Sequence, residues 1–286
     1  MARALGVAPE AVLDLSATLN PVAPDPVPIV SAHLDAIRRY PSPEAAEAHL
    51  ARTMALDPDR VVLTNGGSEA IALVAADQPC GWVDEPEFSL YRRHLARVDP
   101  GAPRWRSNPH NPSGLLADGD ARAAVWDEAF WPLATGTWTR GDADSGSTVI
   151  GSLTKLLACP GLRLGYVICA DADQATRLRL RRPEWSVNGP ALAALPDLLR
   201  PVDLVRWSTA VGDLKRDLRG ILERAGFPVR SADAPWVLVD SAGLRDHLAA
   251  RAICIRDCAS FGWPGTVRIA VPGPDGLGRI EEALAR

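Results

Sequence analysis

One stretch constrains the fold more than any other: "RVVLTNGGSEAIALVAA", residues 60–76. Val61–Leu63 is a short apolar run that reads as a strand. A Gly-Gly-Ser turn follows, then an apolar stretch long enough for a helix. The same strand-turn-helix form recurs in "GWVDEPEFSLYRRHL". "AAVWDEAF" ends a short apolar strand on Asp127, and "STVIGSLTK" and "RLGYVICA" give further strands. Short strands interleaved with helices predict an α/β sheet.

There is no internal repeat, and around these units the chain changes character. Residues 20–28, "NPVAPDPVP", are too proline-rich for a helix or a central strand and read as an extended arm. "IVSAHLDAIRRY" reads as a short helix stopped by "PSPE", and "EAAEAHLARTMAL" as another. From about residue 190 two helices come first, the second around 203–225 with Gly226 as its C-terminal cap. Strands "WVLVD", "AICIRDC" and "TVRIAV" follow, then an amphipathic helix with Leu277, Ile280 and Leu284 on one face. The expected organisation is an N-terminal arm and short helix over 1–40, a large domain over 41–190, and a smaller α+β domain over 191–286.

At 286 residues the chain is long enough for a full core, and its 47% hydrophobic content is that of an ordinary soluble protein. A formal charge of −4 gives no reason to expect a nucleic-acid or anionic-membrane partner. No stretch reaches the roughly 20 apolar residues of a membrane span, so a cytoplasmic location is expected. Cys80, Cys159, Cys169, Cys254 and Cys258 lack paired-motif spacing and read as free thiols rather than a metal site.

Of the 31 basic residues only Lys155 and Lys215 are lysines. A lysine that survives such arginine bias is a candidate for chemistry a guanidinium cannot do, such as condensation with a carbonyl. Lys215, in the charged helix "DLKRDLR", reads as solvated.

Four pieces bear on a ligand. "TNGGSEAI" presents backbone N–H groups and the Ser68 hydroxyl at a helix start, either a phosphate site or an ordinary turn capped by Ser68. "SNPHNPSG" holds Asn111 between prolines, in what is otherwise a rigid loop. Asp127 ends a strand where α/β folds bind ligands, or is a capping or ion-paired acid. "SLTKLLACPGLRLGY" places Ser152, Lys155 and Arg163 about a turn. A phosphate, a carbonyl, a basic ring nitrogen and a phenolic oxygen answer all four, and pyridoxal 5′-phosphate carries each of them.

The order of these pieces resembles the fold-type I pyridoxal-phosphate aminotransferase superfamily. The closest likeness is to the branch of histidinol-phosphate aminotransferases and the threonine-phosphate decarboxylases of cobalamin biosynthesis. "LDLSATLNP", "RRYP", "EWSVN", "AICIRDCASF" and "TVRIAV" extend the resemblance over nearly the whole chain. It implies a large α/β domain with a central, mostly parallel sheet and a smaller α+β C-terminal domain. It also implies that Lys155 condenses with the cofactor and shuttles protons, and that Asp127 holds the ring nitrogen. Asn111 binds the ring oxygen and Phe88 stacks on the ring. Gly67, Ser68, Ser152 and Arg163 hold the phosphate, with Tyr40 reaching in from the second subunit of a homodimer. Arg268 pairs with the substrate carboxylate, Arg256 with a substrate phosphate, and Asn20 and Asn188 make polar substrate contacts.

Two departures stand out. Phe130 occupies the place where the aminotransferases usually carry tyrosine and the decarboxylases tend to have phenylalanine. The segments on either side of "SNPHNPSG" are short, so a strand or helix of the large domain is expected to be missing or reduced and the sheet shortened. The implied activity is decarboxylation of L-threonine O-3-phosphate. The alternatives are transamination of histidinol phosphate or a related amino acid and, in another class, a non-catalytic scaffold.

Overall fold

A computed structural model describes residues 1–285. Among the described residues twelve strands form two sheets: β1 (Leu13–Leu15), β2 (Val61–Asn65), β3 (Cys80–Val83), β4 (Arg97–Val98), β5 (Arg104–Ser107), β6 (Val125–Asp127), β7 (Thr148–Gly151), β8 (Leu164–Ile168), β9 (Val229–Arg230), β10 (Trp236–Asp240), β11 (Ile253–Asp257) and β12 (Thr266–Ala270). The large sheet has seven strands in the order β2-β8-β7-β6-β5-β3-β4. Its pairs are parallel except where β8 runs antiparallel to β2 and β7.

Both faces of this sheet are buried, as its unbroken apolar strands predict. Val61 and Leu63 pack into one core with Trp126, Val149 and Ile168, while Val62 packs into the other with Trp105, Val125 and Ile150. The second sheet has the order β1-β11-β12-β10-β9. Its core takes Val237, Ile255 and Ile269 with Leu277 and Ile280 of the final helix, Pro274–Leu284.

The expected reduction of the large domain lies in its connections rather than in its strands, and three other expectations are corrected. Only residues 99–103 join β4 to β5, on opposite sides of β3, and residues 108–124 join β5 to β6 without a helix. The proline-rich arm is not extended throughout, because Asp25 caps a helix at Pro26–Ser31, accepting from Val27 N at 2.9 Å. Proline at the first helical position is tolerated because its missing N–H would be unpaired there anyway. The "IVSAHLDAIRRY" helix is correspondingly split, ending at Ser31 and resuming as a 3₁₀ turn over Leu34–Arg38. Lys215 is not solvated: its Nζ donates to the carbonyls of Ala232, Asp233 and Ala234 at 2.6–3.2 Å.

The expected domain limits also shift. β1 lies outside the large domain's sheet and pairs in parallel with β11. The helix Gly189–Leu199 and the first half of Leu204–Arg224 pack in the large core, through Leu195, Leu198, Trp207 and Val211. Leu218, Ile221 and Leu222 of the same long helix pack in the small one. Periodicity shows that these faces are apolar but not which core they join.

Candidate active site

The C-terminal ends of the central strands converge on one cavity of about 200 Å³. In register, Ser107 of β5 lies opposite Asp127 of β6, and Asp127 opposite Ile150 of β7. The residues that follow each strand therefore share one rim, the position at which open α/β sheets bind ligands. Gly67, Ser68, Phe88, Asn111, Asp127, Ser152, Lys155, Arg163 and Arg268 all line this cavity.

The turn after β2 depends on two glycines. Gly66 has φ +78°, a conformation that β-carbon sterics oppose in other residues. A β-carbon on Gly165 would lie 2.6 Å from Gly67 N, so only glycine lets β8 pass beneath this turn. The helix Gly66–Asp77 then begins with Gly67 and Ser68 at the cavity wall. Arg163, itself left-handed at φ 57°, reaches past Gly66.

Asp127 sits on the cavity floor. Its Oδ2 accepts from Tyr91 Oη at 2.8 Å and its Oδ1 from Ala129 N at 3.0 Å. Burial pushes its carboxyl up, and these two donors and the Lys155 charge oppose the rise. The Lys155 side-chain amine has no hydrogen-bond or ion-pair partner among the described residues, and burial is the main force lowering its pKa, reinforced by Arg163 and Arg268. A buried amine kept easier to deprotonate is suited to nucleophilic attack on a carbonyl.

Arg268 comes from β12 of the small sheet. It is 8% exposed, lies 4.8 Å over the Trp236 ring, and donates from Nη1 to Asn111 Oδ1 at 2.7 Å. Burial pulls it down to about 10, so it remains a cation at neutral pH. Trp236 Nε1 donates to Pro112 O at 3.1 Å, and Phe130 meets the Trp236 ring edge-on at 5.0 Å.

Four of the residues picked from the sequence stand outside this cavity. Asn20 is buried and holds the lysine segment: its N donates to Lys155 O at 3.0 Å and its Nδ2 to Leu156 O at 2.9 Å. Asn188 caps the helix Gly189–Leu199 and donates to Leu162 O at 2.8 Å. Both amides are already bonded to the chain, so neither is aimed at the cavity. Arg256 lies in an adjoining open groove; Ser16 lines both spaces. Tyr40 is 79% exposed, its ring centroid 4.5 Å from that of Trp185.

Sequence reasoning missed Tyr91, Ser107 and Thr18, which line the same cavity. Tyr91 stands one turn beyond Phe88, whose carbonyl accepts from Tyr91 N at 3.1 Å. Thr18 Oγ1 is buried without a hydrogen-bond partner.

Residues 106–284 match the family of class I and II aminotransferases. The chain belongs to that family. Its relatives include the threonine-phosphate decarboxylase of Salmonella typhimurium, 28% identical over 317 residues, covering 91% of this chain and 86% of that one. The histidinol-phosphate aminotransferase of Halorubrum lacusprofundi is 26% identical over 348 residues, covering 100% of this chain and 92% of that one. Both aligned spans exceed 286 residues, in keeping with the shortened connections. In fold, the histidinol-phosphate aminotransferase of Sinorhizobium meliloti, solved with pyridoxal-5′-phosphate, superposes with a TM-score of 0.82 at 17% identity, covering 99% of this chain and 92% of that one. This family member is accordingly a pyridoxal-phosphate enzyme, and the scaffold alternative falls.

The cavity fits that cofactor on its own terms. It holds a desolvated amine without a side-chain partner among the described residues, a carboxyl that feels its charge, and a guanidinium and two hydroxyls beside a helix start. When bound, pyridoxal phosphate supplies an electron-withdrawing ring that stabilises the carbanion left when a bond to the substrate Cα breaks. No metal-binding group of His, Cys, Asp or Glu occurs among the described residues, and the cysteines are free. No helix among the described residues is long and apolar enough to cross a membrane.

Proposed function

We propose that this enzyme decarboxylates L-threonine O-3-phosphate to (R)-1-aminopropan-2-yl phosphate and CO2, a step of cobalamin biosynthesis. The observation that carries the reading is a register pair. Arg256 and Arg268 lie directly opposite each other on β11 and β12, one in the open groove and one in the cavity that adjoins it. Like charges side by side are unfavourable without an anion to share them. A small amino acid with a carboxylate at one end and a phosphate at the other supplies both.

In this reading Lys155 Nζ anchors the cofactor and then returns a proton to the substrate Cα once CO2 has left. Asp127 accepts from the ring nitrogen, and Asn111 binds the ring oxygen. Phe88 covers the ring. Gly67, Ser68, Ser152 and Arg163 hold the phosphate. Arg268 orients the substrate carboxylate through the paired donors of its guanidinium. Asn20 acts through the Lys155 backbone and Asn188 through the Leu162 carbonyl, not by touching substrate.

The enzyme works as a homodimer in this reading. Val27, Leu34, Ile37, Tyr40 and Trp185 are at least half exposed, and a second copy covers them while bringing Tyr40 to the neighbouring phosphate site. A second reading, transamination of histidinol phosphate, is favoured by the identity to histidinol-phosphate aminotransferases. Incubation with phosphothreonine and no keto acid separates the two. Repeated turnover with CO2 release supports the decarboxylase. A single turnover that leaves the cofactor in its amine form overturns it in favour of the transaminase.

A further inference from the structure

The mechanism above uses one of the chain's two lysines. The other, Lys215, lies on the long helix Leu204–Arg224, far in sequence from the Asn111 loop. Its half-buried Nζ donates to Ala232 O at 2.6 Å, Asp233 O at 3.0 Å and Ala234 O at 3.2 Å. Three carbonyls of consecutive residues thus meet at one point. That suits the three donors of a compact ammonium better than the planar fork of a guanidinium. Among the described residues no other side chain donates to these carbonyls.

Across a planar trans peptide, a C=O and the N–H that follows it point in opposite directions. Turning the Ala232 and Asp233 carbonyls toward Lys215 therefore turns the N–H groups of Asp233 and Ala234 away from it. Both of these donate to a single acceptor, Gly114 O, at 2.8 and 2.9 Å. Gly114 belongs to the turn that carries Asn111. The same turn is gripped at two more points. Asp233 Oδ2 accepts from Leu116 N at 2.9 Å, and Trp236 Nε1 donates to Pro112 O at 3.1 Å. The approach is close: a β-carbon on Gly114 would lie 2.8 Å from Ala232 Cβ. Asn111 Oδ1 accepts from Arg268 Nη1, and Arg268 lies over the Trp236 ring. With Oδ1 taken, the Asn111 amide keeps its Nδ2 donors for the cavity.

We propose that Lys215 is a positioning residue of the active site. By holding the peptide groups of residues 232–234 it clamps the turn that carries Asn111, and so sets Asn111 and Arg268 relative to each other and to the cavity. The role rests on the reading of Asn111 as the partner of the ring oxygen and Arg268 as that of the substrate carboxylate. It links the long helix to the cavity through backbone groups alone.

Wild type, Lys215→Met and Lys215→Arg separate this role from a purely structural one. Methionine keeps an apolar stem without donors. Arginine keeps the charge, and stands in if the methionine variant does not fold. In cofactor-free protein, the amides of Asp233 and Ala234 should exchange hydrogen about 10-fold faster in Lys215→Met and by a smaller factor in Lys215→Arg. Those of Val237, Val239, Val267 and Ile269, in the strands beyond the loop, should keep their wild-type protection. Titration of the visible band should show the affinity for phosphothreonine falling about 10-fold in Lys215→Met, and that for pyridoxal phosphate about 3-fold. Unchanged exchange at Asp233 and Ala234 overturns the clamp. Unchanged affinities, whatever the exchange, overturn the positioning role, as does faster exchange spread evenly through β10 and β12. If wild type binds pyridoxal phosphate but does not respond to phosphothreonine, the substrate reading fails instead, and the exchange and the cofactor affinity still decide the role of Lys215.

Discussion

Arg268 Nη1 donates to Asn111 Oδ1 at 2.7 Å, joining the small sheet to the loop that follows β5 of the large one. Two residues read as ligands of different groups, one of substrate and one of cofactor, are thereby fixed relative to each other. The indole of Trp236 beneath the guanidinium limits its freedom further.

Replacing Arg268 should therefore act on substrate binding first. Arg268→Lys keeps the charge but loses the planar fork. A hydrogen bond to a charged group is worth about 1.5–3 kcal/mol, so the apparent affinity for phosphothreonine should fall roughly 10–100-fold. Titration of the visible band with substrate checks this, and the affinity for pyridoxal phosphate should change much less.

Lys155→Ala should lose the visible band of bound cofactor and reduce turnover by roughly 10³-fold or more, the scale of a lost proton-transfer group. Lys155→Arg should do no better, because a guanidinium stays protonated. Absorbance titration beside a CO2-release assay decides it. A lysine variant that retained the band would show that another amine does this work.

Tyr91→Phe removes one of the two donors to Asp127 while preserving the ring that packs on Phe88 and Trp105. Turnover should fall about 10-fold, the value of one hydrogen bond to a charged acceptor. Thermal stability should change little by comparison, which separates the effect from unfolding.

Stability should fall as pH rises from about 5 to 8. Glu87 and Glu128 are both buried and raised from 4.5, to about 8 and about 7. Between the unfolded and folded values the native state binds more protons than the unfolded chain. Their contribution is full below about 4.5 and is lost as pH passes through 7 and then 8. Melting curves of cofactor-free protein should show the decline, and Glu128→Gln should flatten its lower part.

Gly66→Ala should destabilise the phosphate turn. The new β-carbon meets Arg163 Cζ at 2.9 Å, and the left-handed backbone costs about 1–2 kcal/mol for a residue other than glycine. Weaker retention of pyridoxal phosphate on dialysis, relative to Gly67→Ala, is the expected sign. Gly67 has room for a β-carbon, whose nearest neighbour is 3.8 Å away.

Much of the fold was legible because the strands of a sheet covered on both faces are unbroken apolar runs. "RVVL", "AAVWD" and "RLGYVI" need no long-range information: Val61, Val125 and Leu164 begin strands wherever the sheet closes. The cavity residues were legible because each follows directly on such a strand. Asn20 and Asn188 were misjudged for one reason: an amide in a turn looks the same in sequence whether it faces a ligand or a backbone carbonyl. Lys215 was misjudged for another, since the carbonyls of Ala232, Asp233 and Ala234 that bind it come from a separate loop. Glu87 carried no sequence signal, because its partner Ser107 is 20 residues away on β5.

The long helix Leu204–Arg224 has its first half cemented in one core and its last turns in the other. Its 21 residues span about 30 Å at 1.5 Å per residue. It acts as a spine: a change in the angle between the sheets must bend it or swing its C-terminal half as one piece, so β12 and Arg268 travel with the whole small sheet.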